Sequence, residues 1–350
     1  MDFTPTEEQT AARDLAARIF GDLSSPERLA AVATGSDAEL WKALCAAGLV
    51  TAVADVGLLG LVLLLEEQGR TTAQVPYAAS CVFGLLAVTA HGSAEQRERL
   101  LPGIGDGAVV VTGALPSTGA VRADAHVVRA DARGELTGTV PVVPWLQAAT
   151  HVLVADDRLR LWLVRTADAG CAPVELTAPW SAGRLTLDRA PAEPLGSPDA
   201  YADVLATARV AFAGLQAGVC AGSLARAVAH TNTREQFGRP LAAKQGVQLK
   251  AADAYMDAEA IRVTAYEAAW RRDAGLPYAT HALTAGWWAS EAGARVVHTG
   301  QHLHGGTGAD LEHPVHRHFL WGRQLDAYLG CGSEVLQELG ELIVNGEGAE

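Results

Sequence analysis

Two long stretches carry small apolar residues at spacings that alternate between four and three. One holds Val247, Ala251, Ala254, Ala258, Ile261, Ala265 and Ala268, the other Val210, Gly214, Ala217, Ala221, Leu224 and Val228. Such a repeat keeps one stripe of a helix against a neighbour, and alanine or glycine on the stripe lets the two backbones approach closely. A helical bundle is therefore predicted for the C-terminal part of the chain. Its helices should cover about 199–232, 242–273, 279–300 and 315–329, with a last one to about Val344. Ser197-Pro198-Asp199 reads as the entry to the first of them: a capping hydroxyl, a proline in the first turn, then an acid.

The first hundred residues are also helical in texture. Glu7, Glu8 and Asp14 precede Leu15, Ile19 and Phe20 at helical spacing, acids near the positive end. A second helix is expected from Asp37 to near Gly48, and a buried one from Leu58 to a terminating Gly69. Ser93-Ala-Glu-Gln96 has the form of a capping box and should launch a short helix that ends before Pro102-Gly103. Between about 108 and 196 the period changes. Val109–Thr112, His126–Arg129, His151–Val154 and Arg160–Arg165 are short and β-branched, the texture of a small antiparallel sheet or barrel, and Pro141, Pro144, Pro173 and Pro179 would break any long helix. The reading is a mainly α protein with a β middle domain, in three parts: 1–107 helical, 108–196 β, 197–350 a helical bundle.

Composition narrows the function. Apolar residues make up 49% and charged residues 19% of 350, enough to bury a large core, and a net charge of −13 without a Lys/Arg cluster argues against nucleic acid. The opening MDFTPTEEQT has neither a cationic start nor an apolar run, so no secretory leader is expected. The longest apolar run, Val56 to Leu65, is far short of the roughly 20 residues that span a bilayer. Five scattered cysteines, without a CxxC pair, suit a reducing cytoplasm better than disulfides or zinc. The histidines His298, His302, His304, His313, His316 and His318 lack metal-ligand spacing, and no metal is expected.

Two interhelical loops hold residue types that serve phosphate. Thr233-Arg234-Glu-Gln-Phe237-Gly238 pairs a guanidinium, which bridges a pyrophosphate bidentately, with a ring that can cover an adenine. Gln301-His-Leu-His304-Gly305-Gly306-Thr307-Gly308 offers close backbone approach to a ligand. Together with the helix–sheet–helix order, these loops make the chain resemble the acyl-CoA dehydrogenase family over nearly its whole length. The resemblance runs through Met1–Gln9, Leu65-Glu-Glu-Gln-Gly-Arg70 with Val75-Pro-Tyr77, and His91–Gln96. It is strongest in Arg234-Glu-Gln-Phe-Gly238, His304-Gly-Gly-Thr-Gly308 and Glu312-His-Pro-Val-His-Arg317. It implies an N-terminal helical domain, a middle β domain and a C-terminal four-helix bundle, FAD as cofactor, an acyl-CoA substrate, and an electron-transfer flavoprotein as electron acceptor. It further implies that Arg234, Gln236, Phe237 and Gln245, with Gln301, His302, Leu303, Gly305 and Gly306, reach the ADP half of a neighbour's FAD.

The departures from the family are specific. Its chemistry needs a carboxylate to take the α-proton while hydride goes to flavin N5. The family glutamate stands at one of two places, which correspond here to Leu329 in Tyr328-Leu329-Gly330 and to Ala208 before Arg209. Neither residue accepts a proton. The strand that presents a hydroxyl to the flavin is here Val142-Val143-Pro144, and the family's Thr-Glu-Pro loop is reduced to Thr112–Gly119. A histidine, His302, aligns with the glutamine usual before the paired glycines. The expectation is the base-lacking subunit of a heteromeric (α2β2) enzyme of the type that degrades steroid side chains, its partner being a homologous chain that carries the glutamate. Two alternatives stay open: a self-sufficient enzyme with a relocated base, such as Glu259 or Glu267, and a silent scaffold. Arg209 is expected to form a structural ion pair, and Trp287, Trp288 and Trp321 to pack or face a subunit.

Overall fold

The computed structural model describes residues 2–116 and 127–345. Local chemistry sets the first helices. Helix α1 (Glu7–Asp22) opens with a full capping box between Thr6 and Gln9. Helix α2 (Pro26–Val32) starts on Ser25 with proline at its head, and α3 (Ala38–Ala46) is capped by Asp37, which accepts from the Glu39 and Leu40 amides. Helix α4 (Val53–Thr71) kinks at Gly57, whose φ is 73°. Beyond the kink the freed Leu58 and Leu59 amides donate to the two oxygens of Asp273 at 2.8 and 2.9 Å, a cap contributed from the distant end of the bundle. Helix α5 (Tyr77–His91) is buried and carries a π-helical stretch over Ser80–Leu86, and α6 (Ala94–Gly105) begins at the Ser93–Gln96 capping box.

Three expectations about helix ends are corrected. Gly69 does not terminate α4, which runs on to Thr71 and ends on a left-handed Thr72. Helix α6 continues through Pro102 to Gly105, since a proline in the last turn forfeits one hydrogen bond only. The bundle helix α7 (Ala200–Thr233) starts three residues beyond Ser197, which offers its carbonyl, not its hydroxyl, to the Ala200 amide.

The middle of the chain forms one curled sheet of β1 (Val111–Ala114), β2 (Val127–Ala130), β3 (Glu135–Val143), β4 (His151–Ala155), β5 (Leu161–Arg165), β6 (Gly170–Val174) and β7 (Ala182–Leu195). The order is β1-β4-β5-β7-β3-β2, with β6 also on β7. Strand β7 is long enough to serve both ends, pairing β3 along Gly183–Pro191, β6 along Ala182–Thr186 and β5 along its last four residues, Ala192–Leu195. The sheet is not purely antiparallel: β1 runs parallel to β4, because the β2–β3 hairpin intervenes as a crossover between them.

Helix α7 is the axis of the rest. It packs against α4 on one side and against α8 (Gln245–Asp273) and α9 (Ala279–His304) on the other, with α10 (Val315–Leu325) and α11 (Gly332–Val344) closing the bundle. Its composition and length would suffice to cross a membrane, yet most of it is enclosed by these neighbours. The small-residue stripes lie where the spacing puts them. Ala254, Ala258, Ile261, Ala265 and Ala268 are buried, as are Val210, Gly214, Ala217 and Leu224. Where α7 crosses α4, Gly69 and Gly218 bring the two backbones into contact: a Cβ on Gly218 would overlap the Glu66 carbonyl, and one on Gly69 the Leu215 carbonyl. The stripes open at one end, where Val247 and Ala251 are half-buried and Val228 is exposed. That end carries both loops.

Candidate nucleotide-binding loops and the filled junction

At the open end α7 gives way to Arg234 in extended conformation and a two-residue-strand hairpin, β8 (Glu235–Gln236) with β9 (Arg239–Pro240). Phe237 and Gly238 form its tip with φ of 58° and 77°, both positive as a type I′ turn requires. Only glycine takes that backbone freely, so Phe237 is held there under strain and its ring stands 91% exposed. The Lys244 ammonium sits 4.9 Å from the ring centroid, and Gln245 opens α8 with its side chain in solvent. Arg234 and Gln236 are exposed, and Arg234 has no ion pair among the described residues.

The second loop lies beside the first. Helix α9 stops at His304, and Gly305, at φ 62°, turns the chain into a tight coil over Gly305–Ala309. A Cβ on Gly305 or Gly306 would meet open space, whereas one on Gly308 would strike the Gln301 carbonyl. His302 is exposed, Leu303 is buried, and the Gln301 amide turns back to donate to the Gly308 carbonyl at 3.3 Å. Imidazoles in contact join the two loops: His230 stacks on His304 at 4.7 Å, and His304 meets His313 at a tilt, 5.0 Å away. Burial, the neighbouring imidazole and Arg234 hold His230 below its ordinary pKa, and His313 is lowered for like reasons, with Arg226 adding to the effect. The exposed arginine, the exposed ring and the open glycines are a donor set that fits a pyrophosphate and an adenine.

The positions matched to the family's base and flavin contacts are elsewhere, at the junction of the three parts of the chain. Ala208 and Leu329 are buried. Between them Arg209 donates from Nε to the Leu329 carbonyl at 3.3 Å and grips both oxygens of Glu338 at 2.9 and 2.8 Å. The void lined by Arg209, Phe212 and Leu329 holds about 20 Å³, room for one water at most. Across the junction, Thr112 spends its hydroxyl on the Pro144 carbonyl at 2.6 Å. Leu115 and Pro116 of the shortened loop are described, while Ser117, Thr118 and Gly119 lie outside the described residues.

Directly after Pro144, Trp145 is left-handed (φ 62°) and stacks on Trp180 at 5.7 Å. Trp180 meets Trp321 edge-on at 5.2 Å and Tyr328 at 6.1 Å, and Tyr328 meets Phe212 at 4.8 Å. This continuous aromatic stack joins the Pro144 turn to the Leu329 segment. Its residue types and placement do not fit an isoalloxazine ring: position 144 is a proline without a hydroxyl, that of Thr112 is spent on the Pro144 carbonyl, and indoles stand at the junction. The stack was not legible in the sequence, because its rings come from segments without a shared period. The candidates for a relocated base are committed to other partners. Glu259 pairs with Arg262, and Glu267 with His281 at 3.4 Å.

Residues 6–108 match the acyl-CoA dehydrogenase N-terminal domain and residues 199–339 the acyl-CoA dehydrogenase C-terminal domain. Acyl-CoA dehydrogenase FadE27 of Mycobacterium tuberculosis (strain ATCC 25618 / H37Rv) is 34% identical over 97% of this chain and 98% of its own. Among solved structures, a variant of the Tcur3481-Tcur3483 steroid ACAD is 42% identical with a TM-score of 0.92, over 98% of this chain and 99% of the other. The ChsE4-ChsE5 complex from Mycobacterium tuberculosis is 30% identical with a TM-score of 0.90, again over 98% and 99%. The chain belongs to the acyl-CoA dehydrogenase family.

Proposed function

We propose that this chain is the base-lacking subunit of a heteromeric, FAD-dependent acyl-CoA dehydrogenase, α2β2 in composition and cytoplasmic. FAD, when bound, supplies the hydride acceptor for α,β-desaturation of an acyl-CoA thioester. A homologous partner chain provides the site for the flavin ring, the acyl-CoA and the glutamate that takes the α-proton, and an electron-transfer flavoprotein removes the electrons. The present chain binds and orients the ADP half. Arg234 neutralises the pyrophosphate, Phe237 covers the adenine, Gln236, Gln245 and Gln301 offer amides, and His302, with the Leu303–Gly306 backbone, lets the nucleotide approach. A steroid side-chain thioester is the proposed substrate class, since the Tcur3481-Tcur3483 relative is named a steroid ACAD.

One observation supports this reading: an aromatic stack stands between Pro144 and Leu329 at this chain's own junction, while the cation and glycines of the outer loops stay open. Expression alone and together with a homologue bearing the family glutamate tests it. Alone, the chain should retain no FAD and turn over no acyl-CoA; together, the two should purify with one FAD per pair of chains. Stoichiometric FAD and turnover by the single chain would overturn the reading. Arg234→Ala should weaken FAD retention by the complex by about 1.5–3 kcal/mol, the value of a charged hydrogen bond. An unchanged affinity would favour a scaffold.

A further inference from the structure

A cavity of about 540 Å³ lies between α2, the end of α4, α7 and α10, with Leu29, Ala30, Thr72, Pro179, Arg226 and Arg317 in its wall. Arg317 is buried, donating from Nη2 to the Gln74 side-chain oxygen at 2.8 Å and from Nε to the Thr72 hydroxyl at 3.4 Å. Both acceptors are neutral, and Nη1 has no hydrogen-bond partner among the described residues. Arg226, on α7, is half-buried and has no ion pair among the described residues. Burial lowers the guanidinium of Arg226 and pushes that of Arg317 down to about 10, with no carboxylate opposing the shift at either. Elsewhere Arg28, Arg99, Arg160, Arg209 and Arg295 each hold an acid within salt-bridge distance. Two secluded arginines without one are therefore exceptional in a chain of net charge −13.

The other titratable groups facing the cavity do not supply the missing anion. His318 is buried, its pKa pushed down to about 4 by burial and then by the two arginines, and its Nε2 donates to the Arg70 carbonyl at 3.0 Å. It is a neutral imidazole. His316 directs Nδ1 to the His313 carbonyl at 2.7 Å. Glu27 and Glu312 stand exposed at the rim; Glu27 is engaged with Ser25 at the start of α2, and neither forms an ion pair with Arg226 or Arg317.

We propose that this cavity binds a phosphate monoester carried on an apolar body of nucleoside size. Two guanidiniums balance the two charges of a terminal phosphate, whereas a carboxylate would leave one of them uncompensated. Leu29, Ala30 and Pro179 provide apolar wall for the organic part, and the volume lies within the range of small-molecule sites. The site uses none of the outer-loop residues, so it stands whether or not the heteromeric reading does.

Calorimetric titration of the full chain with adenosine 5′-monophosphate, adenosine and inorganic phosphate tests the proposal. The monophosphate should bind once per chain, with adenosine and inorganic phosphate each weaker by about tenfold or more. Arg226→Gln should cost about tenfold or more in affinity for the monophosphate. Ala30→Trp, an exposed substitution that fills the cavity and leaves both arginines in place, should abolish binding without lowering the unliganded Tm. Arg189→Gln, at an exposed arginine of β7 that lines neither site, should leave the affinity unchanged. Three results would each overturn the proposal: no binding at millimolar monophosphate, full binding by Ala30→Trp, or loss of binding in Arg234→Gln alone, which would assign the nucleotide to the outer loop. Inorganic phosphate binding as tightly as the monophosphate would overturn the ligand class.

Discussion

Arg209 shows what becomes of an active-site arginine when its neighbour is no longer a base. With alanine before it, the guanidinium turns to Glu338 and to the Leu329 carbonyl, a strut between α7, α11 and the segment that would have carried the second base. Glu338→Gln should therefore destabilise the fold by about 3 kcal/mol, because it leaves a buried cation without its counter-charge; chemical denaturation at pH 7 measures this. Glu66 is the opposite case, a buried acid on α4 whose pKa burial pushes up to about 7, although the Tyr266 hydroxyl and nearby Arg262 and Arg70 oppose the shift. Its Oε1 has no hydrogen-bond partner among the described residues. Because the folded value exceeds the unfolded one, the folded chain keeps a proton that the unfolded chain has released. The contribution of Glu66 to stability is thus complete below pH 4.5 and is lost as pH rises through about 7. Glu66→Gln should remove that slope and raise stability at pH 8 by about 2 kcal/mol, read from denaturation midpoints across pH. Of the candidate site, the loops were legible because arginine, phenylalanine and the glycines sit close together in sequence. The filling of the junction was not: Trp145, Trp180 and Trp321 meet only once the sheet and the bundle are assembled.

At the level of elements, the close crossing of α4 and α7 decides the geometry of the rest. Gly218→Ala would set a methyl group against the Glu66 carbonyl, which belongs to backbone and cannot swing aside. It should cost about 1–3 kcal/mol, measurable as a lower Tm, while Gly246→Ala, at an open position on α8, should not. The bundle helices were legible because their apolar residues keep one period and their neighbours are also helices. Helix α5 was not, since from Tyr77 to Val88 it is buried on all sides and has no polar face and hence no period to read. Gly69 misled for a related reason: a glycine marks a close approach as readily as an end, and here it admits a neighbouring backbone. Strand β7 escaped because its proline and arginine residues mask alternation in a segment that pairs with three others.

Taken whole, the molecule is asymmetric in what it keeps open. One end of the bundle presents an arginine without an ion pair among the described residues, an exposed ring and open glycine backbone, while the junction between sheet and bundle is occupied by a chain of rings from the middle segment and the bundle. The Asp273 carboxylate that caps α4 and the α4–α7 crossing bind the first hundred residues to the last hundred and fifty through polar as well as apolar contact. The three indoles at the junction also have an optical consequence. Rigid, dissimilarly oriented chromophores 5.2 and 5.7 Å apart give the folded protein an intrinsic near-ultraviolet circular dichroism, and loosening of sheet from bundle would erase it even where helix content persists. The docking of its parts can thus be followed by light without any bound pigment.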